Sequence, residues 1–186
     1  MRKLNRSLWA GLAATSLLCV ASGVRADEAQ SGQRNFRAAL IGYEEVPAVS
    51  TGASGTLHAR IAEDDGSIDF VLTYEGIEGL NVTASHIHIG QRGANGGVSA
   101  FFCGGGGRPA CPTPDTNLSG PVMVTVFPEH VLGPGGAQQV PAGALNELIA
   151  AIRAGVTYAN VHSQVSPGGE IRGQVRPGNG PEGNDD

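Results

Sequence analysis

The sequence predicts an all-β fold: a Greek-key-like antiparallel β-sandwich or flattened barrel of about eight strands, with one short helix inserted. Three observations predict it. The 29 Gly and 11 Pro make up 40 of 186 residues, against an average of about 12%, which favours a turn-rich β chain over a helical bundle. Apolar residues recur at every second position through the middle of the chain, the period of a strand with one buried face. One segment alone switches to helical spacing. Glycine shows no period of three, which excludes a collagen-like chain.

The chain opens on a segment with the features of an export signal. Arg2, Lys3 and Arg6 precede an apolar run from Leu8 to Ala21, which is of signal-peptide length rather than membrane-spanning length. Val24-Arg25-Ala26 fits a small-x-small cleavage site, so residues 1–26 read as the signal, 27–35 as a lead-in and 36–176 as the domain. The tail 177–186, rich in Gly, Pro, Asn and Asp, reads as disordered. Cleavage after Ala26 takes four of the 12 basic residues and none of the 17 acids, so eight Arg, no Lys and a balance of −9 remain. Such a surface argues against nucleic acid and anionic membranes as partners. It suits a soluble exported protein, secreted or periplasmic, and leaves a small anion or another protein open as its partner.

Each element has its own signal. Alternation marks Phe36–Tyr43 and, more cleanly, Leu57–Ile61, where Leu57, Ala59 and Ile61 fall on one face. Asp64-Asp65-Gly66 turns the chain into the strand Ile68–Tyr74, a hairpin signal. Further strands are expected at Ala84–Ile89, Val98–Phe102, Pro121–Phe127, Thr157–His162 and Glu170–Val175. The helix is Ala142–Ala154: Leu145, Leu148, Ile149 and Ile152 share one face, Pro141 suits the first turn and Gly155 stops it. After signal removal the remaining cysteines, Cys103 and Cys111, bracket a loop of four consecutive glycines. In an exported chain a disulfide is the first reading. A metal-binding or redox thiol pair is the rival, although the spacing is neither that of a zinc knuckle nor C-x-x-C.

The histidines carry the candidate chemistry. His86 and His88 lie two apart on one strand, so both imidazoles point to one face while Ile87 and Ile89 enter the core. Two imidazoles from one strand can chelate one metal ion, and imidazole suits copper, zinc, nickel or iron; the alternative is a pair of solvated polar-face residues. His162 shares a face with Tyr158 and Asn160. A hairpin with Ser163 opposite Gly169 sets His162 facing Glu170 and Asn160 facing Arg172, so that Glu170 and Asn160 become outer partners of a metal-ligating imidazole. His130, in the loop 128–131, is a possible extra ligand. His58 shares its face with Thr56 and Arg60 and reads as solvated, and the paired acids Glu44-Glu45 read as turn or surface residues.

Two resemblances meet at these residues. Glu44-Glu45-Val46-Pro47-Ala48-Val49-Ser50-Thr51-Gly52-Ala53-Ser54-Gly55 resembles the opening motif of the chordin-type (CHRD) domain. Ala84-Ser85-His86-Ile87-His88, Asn160-Val161-His162 and Pro167-Gly168-Gly169-Glu170-Ile171-Arg172-Gly173-Gln174 continue the same pattern in order. The Cys103–Cys111 segment and Ala151-Ile152-Arg153-Ala154-Gly155-Val156-Thr157-Tyr158-Ala159-Asn160 resemble bacterial members. This resemblance implies an extracellular β-sandwich. Tyr74-Glu75-Gly76-Ile77-Glu78-Gly79-Leu80 leading to His86-Ile87-His88-Ile89-Gly90 is similar to copper-zinc superoxide dismutase before its copper-binding H-x-H. There, a later Val-His supplies another copper ligand, here Val161-His162, and an Arg after a Gly-rich turn, here Arg172, guides the superoxide anion. The bridging His and the zinc loop have no match, so the likeness implies a copper-only site of three His. Two function classes follow: a copper protein with dismutase-like or other redox activity, and a metal-free binding or structural module for which the His row is only a polar sheet face.

Overall fold

The computed structural model describes residues 32–79, 81–113, 121–134 and 136–178. The expected signal at 1–26 and the tail beyond residue 178 lie outside the described residues. Eight strands form where alternation placed them, within a few residues: β1 (Asn35–Ile41), β2 (Ser54–Ile61), β3 (Ile68–Glu75), β4 (Val82–Ile89), β5 (Val98–Cys103), β6 (Val122–Val126), β7 (Thr157–Ser163) and β8 (Ile171–Gln174). A short β9 (Arg176–Pro177) pairs with β1, so the chain stays in the sheet for two residues where the tail was expected to begin.

All pairings are antiparallel, in the order β5-β4-β7-β8-β1-β2-β3-β6. The two ends of that order approach each other. Phe102 of β5 packs against Phe70 of β3 with ring centroids 4.8 Å apart, and the Arg108 guanidinium donates to the Thr125 carbonyl of β6 at 2.9 Å. Of the two architectures the sequence left open, the structure is therefore the flattened, nearly closed barrel. Its interior is filled by the alternating residues Leu57, Ala59 and Ile61, Ile68, Phe70 and Leu72, and Ile87, Ala159, Val161 and Ile171, all buried. Each large aliphatic among them contributes about 1.5–3 kcal/mol on burial.

The helix α1 (Leu145–Arg153) buries the face read from its spacing, Leu145, Leu148, Ile149 and Ile152. It starts three residues later than Ala142. Gly143 has a φ of +84°, and the Ala144 N–H donates back to the Pro141 carbonyl at 3.2 Å, so Pro141–Ala144 is a turn rather than a first helical turn. Arg153 at the other end grips Asp65 with two hydrogen bonds of 2.8 Å. That contact holds the Asp65 carboxyl below its usual range and ties the helix to the β2–β3 hairpin. Among the described residues no helix is long and apolar enough to cross a membrane.

One glycine on β8 is required by close approach. A Cβ on Gly173 would collide with the Ala39 carbonyl oxygen of β1 and lie 3.2 Å from the Ala38 side chain. Gly168, by contrast, has open space where a Cβ would stand. Gly173→Ala is expected to cost about 1–3 kcal/mol through overpacking, and Gly168→Ala no more than about 0.5 kcal/mol. Urea midpoints at unchanged m-value measure both, and equal midpoints would show that β1 and β8 are not crowded there.

Candidate metal centre

β4 and β7 pair with His86 opposite Asn160 and His88 opposite Tyr158. Ile87, Ala159 and Val161 fill the interior, so His86, His88, Tyr158, Asn160 and His162 rise together on the other face of the sheet. That face is not open to water. His86 is 5% exposed and His88 7%, which overturns the reading of two solvated polar-face residues. The Phe101 ring meets His86 edge-on at 5.0 Å, and Tyr158 stacks on His88 at 4.5 Å and 5°. His58, on β2, is exposed as its alternation implied.

The three imidazoles converge. His86 lies 4.5 Å, centroid to centroid, from both His88 and His162. One nitrogen from each residue lies within 4.8 Å of the other two. The tautomers follow from their partners. His88 Nδ1 is 2.9 Å from the Gly96 carbonyl and His162 Nδ1 is 2.9 Å from the Pro167 carbonyl. A carbonyl only accepts, so both Nδ1 atoms carry the proton and both Nε2 atoms keep a lone pair. His162 Nε2 and His86 Nδ1 are buried with no hydrogen-bond partner. An unpaired buried polar atom costs about 1–3 kcal/mol, and a cation held between these nitrogens would remove that cost.

The donor set fits a metal. Three neutral imidazoles suit copper, zinc, nickel or iron. Metal–nitrogen bonds of about 2.0 Å place ligand atoms about 3.3–4 Å apart, so the cluster needs a closure of about 1 Å, within reach of small ring rotations. Burial holds all three imidazoles below the usual histidine range, His86 down to about 2, with His88 and His162 adding to its shift. They are therefore unprotonated ligands at neutral pH.

The CHRD domain matches residues 36–175, a span that holds all three histidines. The chain belongs to the CHRD-domain family. No curated protein and no solved structure matches it, so the likeness to superoxide dismutase rests on the order of motifs alone. Within this CHRD domain, several residues occupy places that their spacing did not show. Arg172, which the dismutase likeness made a guide for an anion, is 2% exposed. Its guanidinium donates to Asn95 Oδ1 at 3.0 Å, the Ala94 carbonyl at 2.7 Å and the Gln91 carbonyl at 3.3 Å, and lies over the Tyr158 ring at 3.4 Å. Arg172 is thus a buried clamp that holds the 91–97 loop and Tyr158 over His88.

Glu170 is likewise not the hydrogen-bond partner of His162, whose Nδ1–H goes to the Pro167 carbonyl instead. The buried Glu170 carboxylate accepts from the Thr51 hydroxyl at 3.0 Å and the Glu78 N–H at 2.8 Å, which joins two loops to the end of β8. Asn160 does stand opposite Arg172. Its Oδ1 lies 3.1 Å from His88 Nε2, and its side chain also reaches His86 and Glu45. His130 belongs to the short turn Pro128–His130, where its Nδ1 accepts the Phe127 N–H at 3.0 Å; it is not part of the cluster.

Two further residues escaped sequence reasoning. Phe101 has no polar signal, yet it walls off His86. Its ring is gripped by the loop closed by the Cys103–Cys111 disulfide, where a Cβ on Gly105 or Gly106 would strike it. Glu45, read as a turn or surface acid, is buried. Its signal was its place in the Glu44-Glu45-Val46-Pro47 motif. Alternation between neighbouring acids could not show it, because this stretch is a turn and not a strand.

The depressed imidazoles give a pH dependence with a definite sign. In the metal-free protein they stay neutral when folded, whereas unfolded histidine takes a proton below about pH 6.5. Their stabilising contribution is therefore full above that pH and is lost as pH falls. The buried Glu45 carboxyl, raised to about 7, acts in the opposite direction between its unfolded value and neutrality, so the informative quantity is a difference between variants. Melting temperatures in chelator between about pH 7 and about pH 4.5 should fall more steeply for the wild type than for His86→Gln/His162→Gln. Equal slopes would mean that the imidazoles are not held neutral by burial.

Proposed function

We propose that this CHRD-domain protein is an exported metal-binding protein that holds copper through His86, His88 and His162. The observation that carries the reading is the convergence of two buried, unpartnered imidazole nitrogens with a third imidazole, His88, whose Nδ1–H is committed to the Gly96 carbonyl and whose Nε2 lies beside Asn160. A site of nitrogen donors with no thiolate or carboxylate among them favours copper in the order of divalent affinities. Export is the reading supported by the basic and apolar opening of the sequence and by a disulfide within the domain.

Bound copper would supply one-electron chemistry, which for superoxide turns two anions and two protons into one dioxygen and one hydrogen peroxide. The residues of the chain do the rest. The Gly96 and Pro167 carbonyls hold His88 and His162 in the tautomers that present Nε2. Phe101 and Tyr158 exclude water from the imidazoles. Arg172 fixes the loop that covers them, so its expected part in catalysis becomes one of positioning.

Copper titration of the purified chain, read by calorimetry and metal analysis, should show one tightly held ion per chain. His86→Ala/His88→Ala should weaken it by two orders of magnitude or more, about the effect of losing ligands rather than outer partners. A superoxide assay on the loaded protein then tests the redox step. Absence of uptake, or equal weak uptake by both proteins, would overturn the metal reading in favour of a binding or structural module.

A further inference from the structure

We propose that Glu45 is the counter-ion of the metal site, coupled to the histidines through the Asn160 carboxamide, so that a cation enters as Glu45 gives up its proton. The inference rests on the metal reading above and names the residue that balances its charge. Glu45 follows the short turn Gly42–Glu44 and is 7% exposed. Its carboxylate lies under the turn before β8, where a Cβ on Gly169 would collide with it. Its Oε1 is buried and has no hydrogen-bond partner.

The charge balance calls for such a group. Three neutral imidazoles offer a divalent cation no negative charge, and the buried Arg172 guanidinium already adds a positive one nearby. The groups that face Glu45 are Arg172 from β8, Asn160 and Tyr158 from β7, and the Val46 backbone beside it. The Tyr158 phenol is pushed up by burial and stays neutral. Burial raises the Glu45 carboxyl to about 7 against the pull of Arg172, Asn160 and Val46, so it can hold or release a proton near neutrality. Glu170, the other buried acid among the described residues, has Oε1 committed to Thr51 and the Glu78 N–H and Oε2 buried without a hydrogen-bond partner, which makes it the control for Glu45.

Asn160 transmits the state of Glu45. Its carboxamide presents an oxygen at one end and an NH2 group at the other, and it contacts both His88 Nε2 and the Glu45 carboxyl. An ionised Glu45 takes the NH2 end, which turns Oδ1 toward His88 Nε2. Since the Gly96 carbonyl already holds the His88 proton on Nδ1, an oxygen then faces a lone pair, an arrangement relieved by a cation at that nitrogen. A protonated Glu45 donates to Oδ1 instead, which turns the NH2 end toward His88 Nε2 and occupies the lone pair that a metal needs. Cation binding and Glu45 ionisation therefore favour each other.

The test is copper(II) calorimetry on the purified chain in pairs of buffers that differ in ionisation heat, which counts protons released per ion. The wild type should release about one proton at about pH 6 and close to none at about pH 8 from this group. Glu45→Gln should lose that difference and bind on the order of tenfold more weakly at about pH 8, while Glu170→Gln keeps the difference. The wild-type proton count needs no variant, so the proposal is decided even if Glu45→Gln fails to fold. A wild-type count that does not change between the two pH values overturns the proposal, as does a Glu45→Gln protein that matches the wild type. Failure of the wild type to take up copper overturns the metal reading, and this inference with it.

Discussion

The antiparallel register of β4 on β7 is the constraint on which the site depends. With Ile87 opposite Ala159 and Ser85 opposite Val161, these four side chains enter the barrel, and His86, His88, Tyr158, Asn160 and His162 rise on the other face. A slip of one residue would exchange His86 and His88 for Ile87 and put unpaired imidazoles in the apolar interior. The burial of Ile87, Val161 and Ile171 holds this register, at about 1.5–3 kcal/mol for each large aliphatic side chain. The imidazoles are placed by packing energy that they do not themselves supply.

Convergence alone would leave three wet histidines. The site is closed off because loops and turns fold over it, each fastened by its own anchor. The 91–97 loop is held by the buried Arg172, and the turn that carries Pro167 caps His162. The disulfide-closed glycine loop holds Phe101 against His86. Glycine is needed at 105 and 106 because the Phe101 ring fills the space of a side chain there. Arg172 serves three elements at once, since it stacks on Tyr158, which in turn stacks on His88.

The same closure sets the electrostatics. Removed from water, the imidazoles remain neutral and a carboxyl such as Glu45 gives up its proton only near neutrality. A neutral nitrogen cluster, a fixed guanidinium and a titratable acid thus lie in one desolvated network joined by Asn160. Low dielectric strengthens every coupling within such a network and makes each unpaired atom costly. Two orphaned nitrogens are accordingly an arrangement that the fold has to offset from elsewhere, chiefly from its apolar interior.

The strands, the buried face of the helix, the shared side of His86 and His88 and the shared side of Tyr158, Asn160 and His162 follow from periods of two and 3.6 residues along the sequence. The Gly-rich turn after Ser163 suggested a hairpin of β7 with β8, and the structure pairs them with Asn160 opposite Arg172. What lies beside and above each face comes from the tertiary fold, which sets β7 next to β4 and closes loops over both. Alternation tells which side of a strand a residue takes but not whether a loop from elsewhere closes above it. Hence His86 and His88, for which a solvated polar face was the alternative, are buried; Arg172 is a buried clamp; Glu170 serves Thr51 and Glu78; and Glu45 is interior. The Arg172 and Glu170 contacts join residues 77 to 119 positions apart, and no local period encodes such contacts.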